Sequence, residues 1–150
     1  MKVFAAWMAL AGLMLAAEAQ DHKEFPKPGK EQALLKQQFE GDWDAVSKHE
    51  KDGKKEESKG TEGVKSAYGG FWLLFDYKGE HQGKTYTGLG TMGYDPMKKK
   101  YLLSWIDSMT PFAMWAEGEA DSAGKTFTFT SEGFCPDLGK TTKVRTVMDV

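Results

Sequence analysis

The chain opens on an unbroken apolar run. A short positive start, Met1-Lys2, leads into Val3 to Ala17, followed by small residues on either side of Glu18 in Ala17-Glu18-Ala19. This three-part layout is that of a secretory signal peptide cut before Gln20. A membrane anchor would need roughly 20 apolar residues, and the run falls short of that. We therefore expect residues 1–19 to be a removed leader, the product to be periplasmic or secreted, and the mature chain to have no membrane span. Residues 20–29 carry Pro26, Pro28 and Gly29 among charges and read as an extended exposed tail. Lys30 to Glu40 has good helix formers and a narrow apolar stripe at Leu34, Leu35 and Phe39, which predicts a short helix stopped by Gly41.

After Gly41 the period switches from 3.6 to 2. Strand-length runs follow at Trp43–Lys48, Ser58–Tyr68, Phe71–Tyr77, Lys84–Gly93, Lys100–Asp107, Phe112–Ala120, Lys125–Ser131 and Thr141–Val150. Turn signals separate them: Asp52-Gly53 inside a charge run, Gly69-Gly70, Lys78 to Gly83, Tyr94 to Lys99, Ser108 to Pro111 and Asp121 to Gly124. A loop spans Gly133 to Gly139. No helical stretch lies between these strands, so parallel pairing through helical crossovers is excluded. The fold expected for residues 30–150 is all-β, an antiparallel up-and-down barrel with a short N-terminal helix over one end. Gly88, Gly90 and Gly93 in one strand allow sharp coiling or the close packing of an aromatic. The pattern stops in mid-strand at Val147 to Val150. This reads as a fragment whose closing strands are missing, which would leave the barrel open with two unpaired edges.

Composition narrows the function. Of 150 residues, 20 are Lys or Arg and 22 are Asp or Glu, a formal charge of −2, so no basic groove for nucleic acid is expected. Hydrophobics at 40% and aromatics at 13% suffice for a packed core. The single Cys, Cys135, excludes an intrachain disulfide. We read it as a small buried hydrophobe rather than a reactive thiol, since nothing near it in sequence would activate it.

Two stretches resemble known families. Phe39-Glu40-Gly41-Asp42-Trp43 resembles the opening of the calycin superfamily, a short helix followed by Gly-x-Trp. That resemblance implies that Trp43 packs across the closed end beneath a basic residue from a late strand. Arg145, the only Arg in the chain, is the match, with a cation–π attraction of about 1 kcal/mol. A more specific likeness lies further on. Gly88 to Asp95, Lys99 to Ser108, Gly118 with Asp121, and Gly124-Lys125 together resemble the bacterial family called domain of unknown function 1579. Gly60-Thr61 and the Trp72 strand fit its earlier part, and the resemblance covers roughly Phe39 to Val150. It implies a small lipocalin-like barrel, often exported, whose members usually run on past this point. It implies no activity.

Little catalytic chemistry is spelled out. His22, His49 and His81 have no ligand spacing to one another or to carboxylates, so no metal site is expected. No strand carries an axial His, and no cofactor is expected. Gly88-x-Gly90-x-x-Gly93 matches the dinucleotide-binding spelling but lies inside a strand, so we reject it. Asp76 and Asp107 lie in apolar strands. Either could serve as a general acid–base group or as an acceptor for turn amides, the second being the plainer role. Several strands are apolar on both faces, Phe71/Leu73/Phe75 against Trp72/Leu74 and Leu103/Trp105 against Leu102/Ile106, which leaves one face for a second copy of the chain. The function expected is binding of a small hydrophobic molecule, with Tyr101, Leu103, Trp105, Asp107 and Met114 as the wall. The alternatives are an enzyme, a hydrolase or isomerase using Asp107 or Asp76, and a structural or dimerisation module with a filled core.

Overall fold

The computed structural model describes residues 26–51, 54–81, 83–135 and 139–150. The expected leader, His22 and the Asp52-Gly53 turn lie outside the described residues, as do the side chains of His49 and Cys135. The end of the expected tail, Pro26 to Gly29, is irregular and exposed. Among the described residues, one α-helix, α1 (Lys30–Phe39), precedes eight strands: β1 (Gly41–Lys51), β2 (Lys54–Ala67), β3 (Trp72–His81), β4 (Lys84–Asp95), β5 (Lys100–Asp107), β6 (Met114–Ala120), β7 (Thr126–Cys135) and β8 (Lys140–Asp149). Every strand pairs antiparallel with its neighbours in sequence, in the order β1 to β8. β1 and β8 are the two edges and do not pair, so the up-and-down sheet is open.

The strands form where the period of two was read, with two extensions. β1 and β2 continue their pairing through the charge run, out to Lys51 opposite Lys54. β7 runs on to Cys135 opposite Lys140, so Gly133 to Cys135 of the expected loop belong to the strand. In both places backbone pairing carries on from a ladder already in register, which side-chain polarity alone does not reveal.

Alternation gives the sheet a concave and a convex face. Val64, Leu73, Phe75, Met92, Leu103, Phe127 and Phe129 all point to the concave side and form its core with Leu35 and Phe39 of α1. The rings measure the curl. Phe39 lies 6.0 Å from Phe75 on β3 and 5.0 Å from Phe127 on β7. Four strand spacings on a flat sheet would separate those positions by roughly 19 Å, so one phenyl ring can touch both only if the sheet wraps around it.

α1 fills one end of this trough. Gln32 is buried; its Oε1 accepts from the Gly29 N–H at 2.9 Å and its Nε2 donates to the Tyr94 carbonyl. Thus one side chain both starts the helix and ties it to β4. Leu34 packs over Gly124 in the β6–β7 turn. The helix ends where Glu40 turns extended and Gly41 takes φ +147°, a conformation that L side chains rarely adopt. Trp43 then reaches back, and its indole Nε1 donates to the Phe39 carbonyl at 2.7 Å. That bond satisfies one of the carbonyls a helix terminus leaves open.

This corrects the role expected from the calycin likeness. Arg145 pairs with Thr130 between the buried Phe129 and Ser131, so it lies on the convex face, whereas Trp43 lies on the concave one. The two belong to opposite edge strands, and the Trp43 indole is held by the helix terminus.

Candidate functional site

The hairpins divide the trough. α1, the Tyr94–Lys100 turn and the Ala120–Lys125 turn close one end. At the other end lie the last described pairs of the β1–β2, β3–β4 and β7–β8 ladders and the β5–β6 turn. β5 runs from the closed end to the open one, and its concave residues change character on the way. Tyr101 and Leu103 are each 7% exposed and belong to the packed core. Tyr101 stacks edge-on against Phe127 at 5.2 Å and against Tyr94 at 5.1 Å. Trp105, Asp107 and Met114 lie toward the open end and are half-buried. The structure therefore splits the five sequence-selected residues, with Tyr101 and Leu103 in the core and the other three together outside it.

Around Trp105 stand side chains that the sequence reading did not assign to the site. Tyr77 is 6.3 Å from Trp105 and 5.6 Å from Tyr86, ring centre to ring centre, both edge-on. The Trp105 Nε1 donates to the Tyr86 hydroxyl at 3.0 Å. Burial pushes the Tyr86 phenol above its ordinary pKa, and the neighbouring Asp107 carboxylate adds to the rise, against the opposing effect of the Trp105 bond. His81 lies at the rim, 6.4 Å from the Tyr86 ring.

Glycines set the depth of these rings. A Cβ on Gly90 would stand 2.9 Å from Trp105 Cε3, and one on Gly88 would fall inside the indole. One on Gly79 would stand 2.5 Å from the Tyr77 hydroxyl, and Gly60, its partner across the ladder, leaves the same opening. The large rings therefore lie flat on the sheet rather than projecting across the trough. Packing of an aromatic, one of the two roles read for Gly88 and Gly90, is the one the structure uses, and Gly93 does the same for Trp72 on the convex face.

The carboxylates differ. Asp107 Oδ1 accepts from the Met109 N–H at 2.8 Å, the Thr110 N–H at 2.9 Å and the Thr110 hydroxyl at 3.2 Å. It organises the β5–β6 turn, the plainer of its two expected roles. Asp76 is exposed on the convex face opposite Leu89, in mid-strand and away from the trough. Glu62 was not singled out from sequence. It lies on the concave face in register between Trp43 on β1 and Tyr77 on β3, and the same row continues through Gly88 to Asp107. Burial pushes its carboxyl above the usual range, with no hydrogen bond or cation offsetting the shift. Its surroundings, Gly60-Thr61-Glu62-Gly63, read as part of a long, weakly hydrophobic strand. Only the register with Tyr77 reveals it.

Among the described residues, no three His, Cys, Asp or Glu come together as a metal site, and no helix is long and apolar enough to cross a membrane. At the closed end, Glu31, Tyr94, Lys99, Tyr101, Glu119 and Asp121 line an open cleft of about 410 Å³.

No curated protein and no solved structure matches the chain. A family model does, over residues 27–150, and it takes in α1 and all eight strands. The chain thus belongs to the family described as protein of unknown function (DUF1579).

Proposed function

We propose that this protein is exported and binds a small hydrophobic or amphipathic molecule in the uncovered half of its trough. One observation carries the reading. Tyr86, Trp105 and Met114, all half-buried, form an aromatic and thioether wall at the end α1 does not fill, backed by the buried Tyr77, with Trp105 and Tyr77 recessed onto glycines. Concave, mostly apolar surface with a few polar groups is what small-molecule sites are made of. Tyr101 and Leu103 support this wall from the core. Export rests on the leader pattern at residues 1–19.

Native mass spectrometry of the protein expressed with its own N-terminus tests these points together. The expected result is a chain beginning at Gln20 carrying a retained small molecule, with saturable Trp quenching when a ligand is added back. Trp105→Ala should weaken that binding about tenfold or more, the loss of about 1.4 kcal/mol of contact. An uncleaved chain would remove export. An empty chain whose Trp signal responds to no apolar ligand would remove the binding reading.

The convex face supports a second reading, self-association. Trp115 is 71% exposed there, and Ile106 on β5, Leu89 on β4 and Trp72 on β3 are each a third to a half exposed on the same face. In register, Leu74, Thr91, Ser104 and Trp115 form one row, with Leu89 and Ile106 in the next. Large apolar side chains gathered on one exposed face mark association surfaces. The expected result is a concentration-dependent dimer in analytical ultracentrifugation that Trp115→Ser weakens at least tenfold; a monomer at every concentration would end this reading.

A further inference from the structure

The charges on the concave face carry the binding reading further. At mid-depth, two ionisable acids face the trough, Glu62 and Asp107, in one cross-strand row. The cations that alternation puts on this face, among residues with described side chains, are Lys84 and Lys140, both exposed at the rim in the last pairs of their hairpins. Asp107 is already engaged by two backbone amides and a hydroxyl. Glu62 makes no hydrogen bond or ion pair with any described residue, although it is half-buried between an indole and a phenol. A half-buried carboxylate without a partner costs stability, and a protein keeps such a group most readily where a ligand completes it. The rings beside it have the matching preference, since Trp and Tyr faces attract cations, ammonium groups above all.

Building on the binding reading above, we infer that the ligand is a cationic amphiphile, an ammonium group on an apolar chain, with Glu62 as its counter-ion. The ammonium sits at the Trp43–Glu62–Tyr77 row, and the apolar chain runs along Tyr86, Trp105 and Met114. An anionic ligand of the same shape would meet Glu62 and Asp107 as like charges and be rejected.

The test uses three probes with one tail, octyltrimethylammonium, octanol and octanoate, each titrated against the Trp fluorescence of the exported chain below its self-association concentration. The ammonium should bind at least tenfold tighter than the alcohol, and the carboxylate weakest. Glu62→Gln should erase the preference for the ammonium over octanol, and an unchanged near-UV circular dichroism spectrum shows that the variant folds. Acidification should weaken ammonium binding, beginning above the usual carboxylate range because Glu62 protonates early. The titratable groups facing it are Tyr77 on β3 and, beyond, Tyr86 on β4, Asp107 on β5 and His81 at the rim; β1 presents Trp43 and Ala45. Equal affinity for all three probes, or a preference that survives Glu62→Gln, would overturn the cation assignment and leave apolar binding standing. Failure of all three probes to bind would remove both.

Discussion

Phe127→Ala should cost about 3–5 kcal/mol of folding stability, the range for removing a buried phenyl ring. Phe127 is completely buried, and its ring joins Phe39 of α1 at 5.0 Å to Tyr101 of β5 at 5.2 Å. It is the point where helix, middle strands and late strands meet. Losing it leaves a void that the wrapped sheet cannot close without releasing α1. Against a total of about 5–15 kcal/mol, this is a large fraction, and the melting temperature should fall by roughly 10 °C or more. Thr128→Ala, one residue along and on the other face, should stay within about 0.5 kcal/mol. Denaturant unfolding measures both. A Phe127→Ala cost below about 1 kcal/mol would show that the sheet does not close on α1 as described.

The second large effect is a coupling. Gly88→Ala places a methyl where the Trp105 indole lies, and should cost about 1–3 kcal/mol by overpacking. In the Trp105→Ala background the same substitution should cost far less, because the obstructing ring is gone. The double-mutant cycle should return at least ~1 kcal/mol of interaction. Near-UV circular dichroism gives an independent readout, since Gly88→Ala must move the indole out of its recess. A simply additive cycle would mean that the glycines serve strand coiling, the other role read for them, and that the open trough does not depend on recessed rings.

Much of the architecture was legible in the pattern of side chains. The run of period-two segments from Trp43 onward, without a helix between them, already required a sequential antiparallel sheet. Leu35 and Phe39 at helical spacing identified the face that α1 buries. The charge run after Lys48 did not reveal how far β1 and β2 stay paired, because side-chain polarity does not report backbone pairing. The five proposed site residues were chosen by alternation along β5 and β6, and alternation sorts faces, not depth. It therefore grouped Tyr101 with Trp105, although one lies under α1 and the other beyond it.

Alternation and turn chemistry, which are local, determined the strands, their antiparallel order and which side chains share a face. Tertiary structure alone decided the registers that bring Glu62 beside Tyr77 and Trp43, and the curl that lets Phe39 touch both β3 and β7. It also placed α1 in one end of the trough, leaving Trp105 and Asp107 half-open at the other. The reason is physical: a side chain's period specifies a face, whereas its neighbours across the sheet and its depth in the fold are set by contacts between residues far apart in the chain.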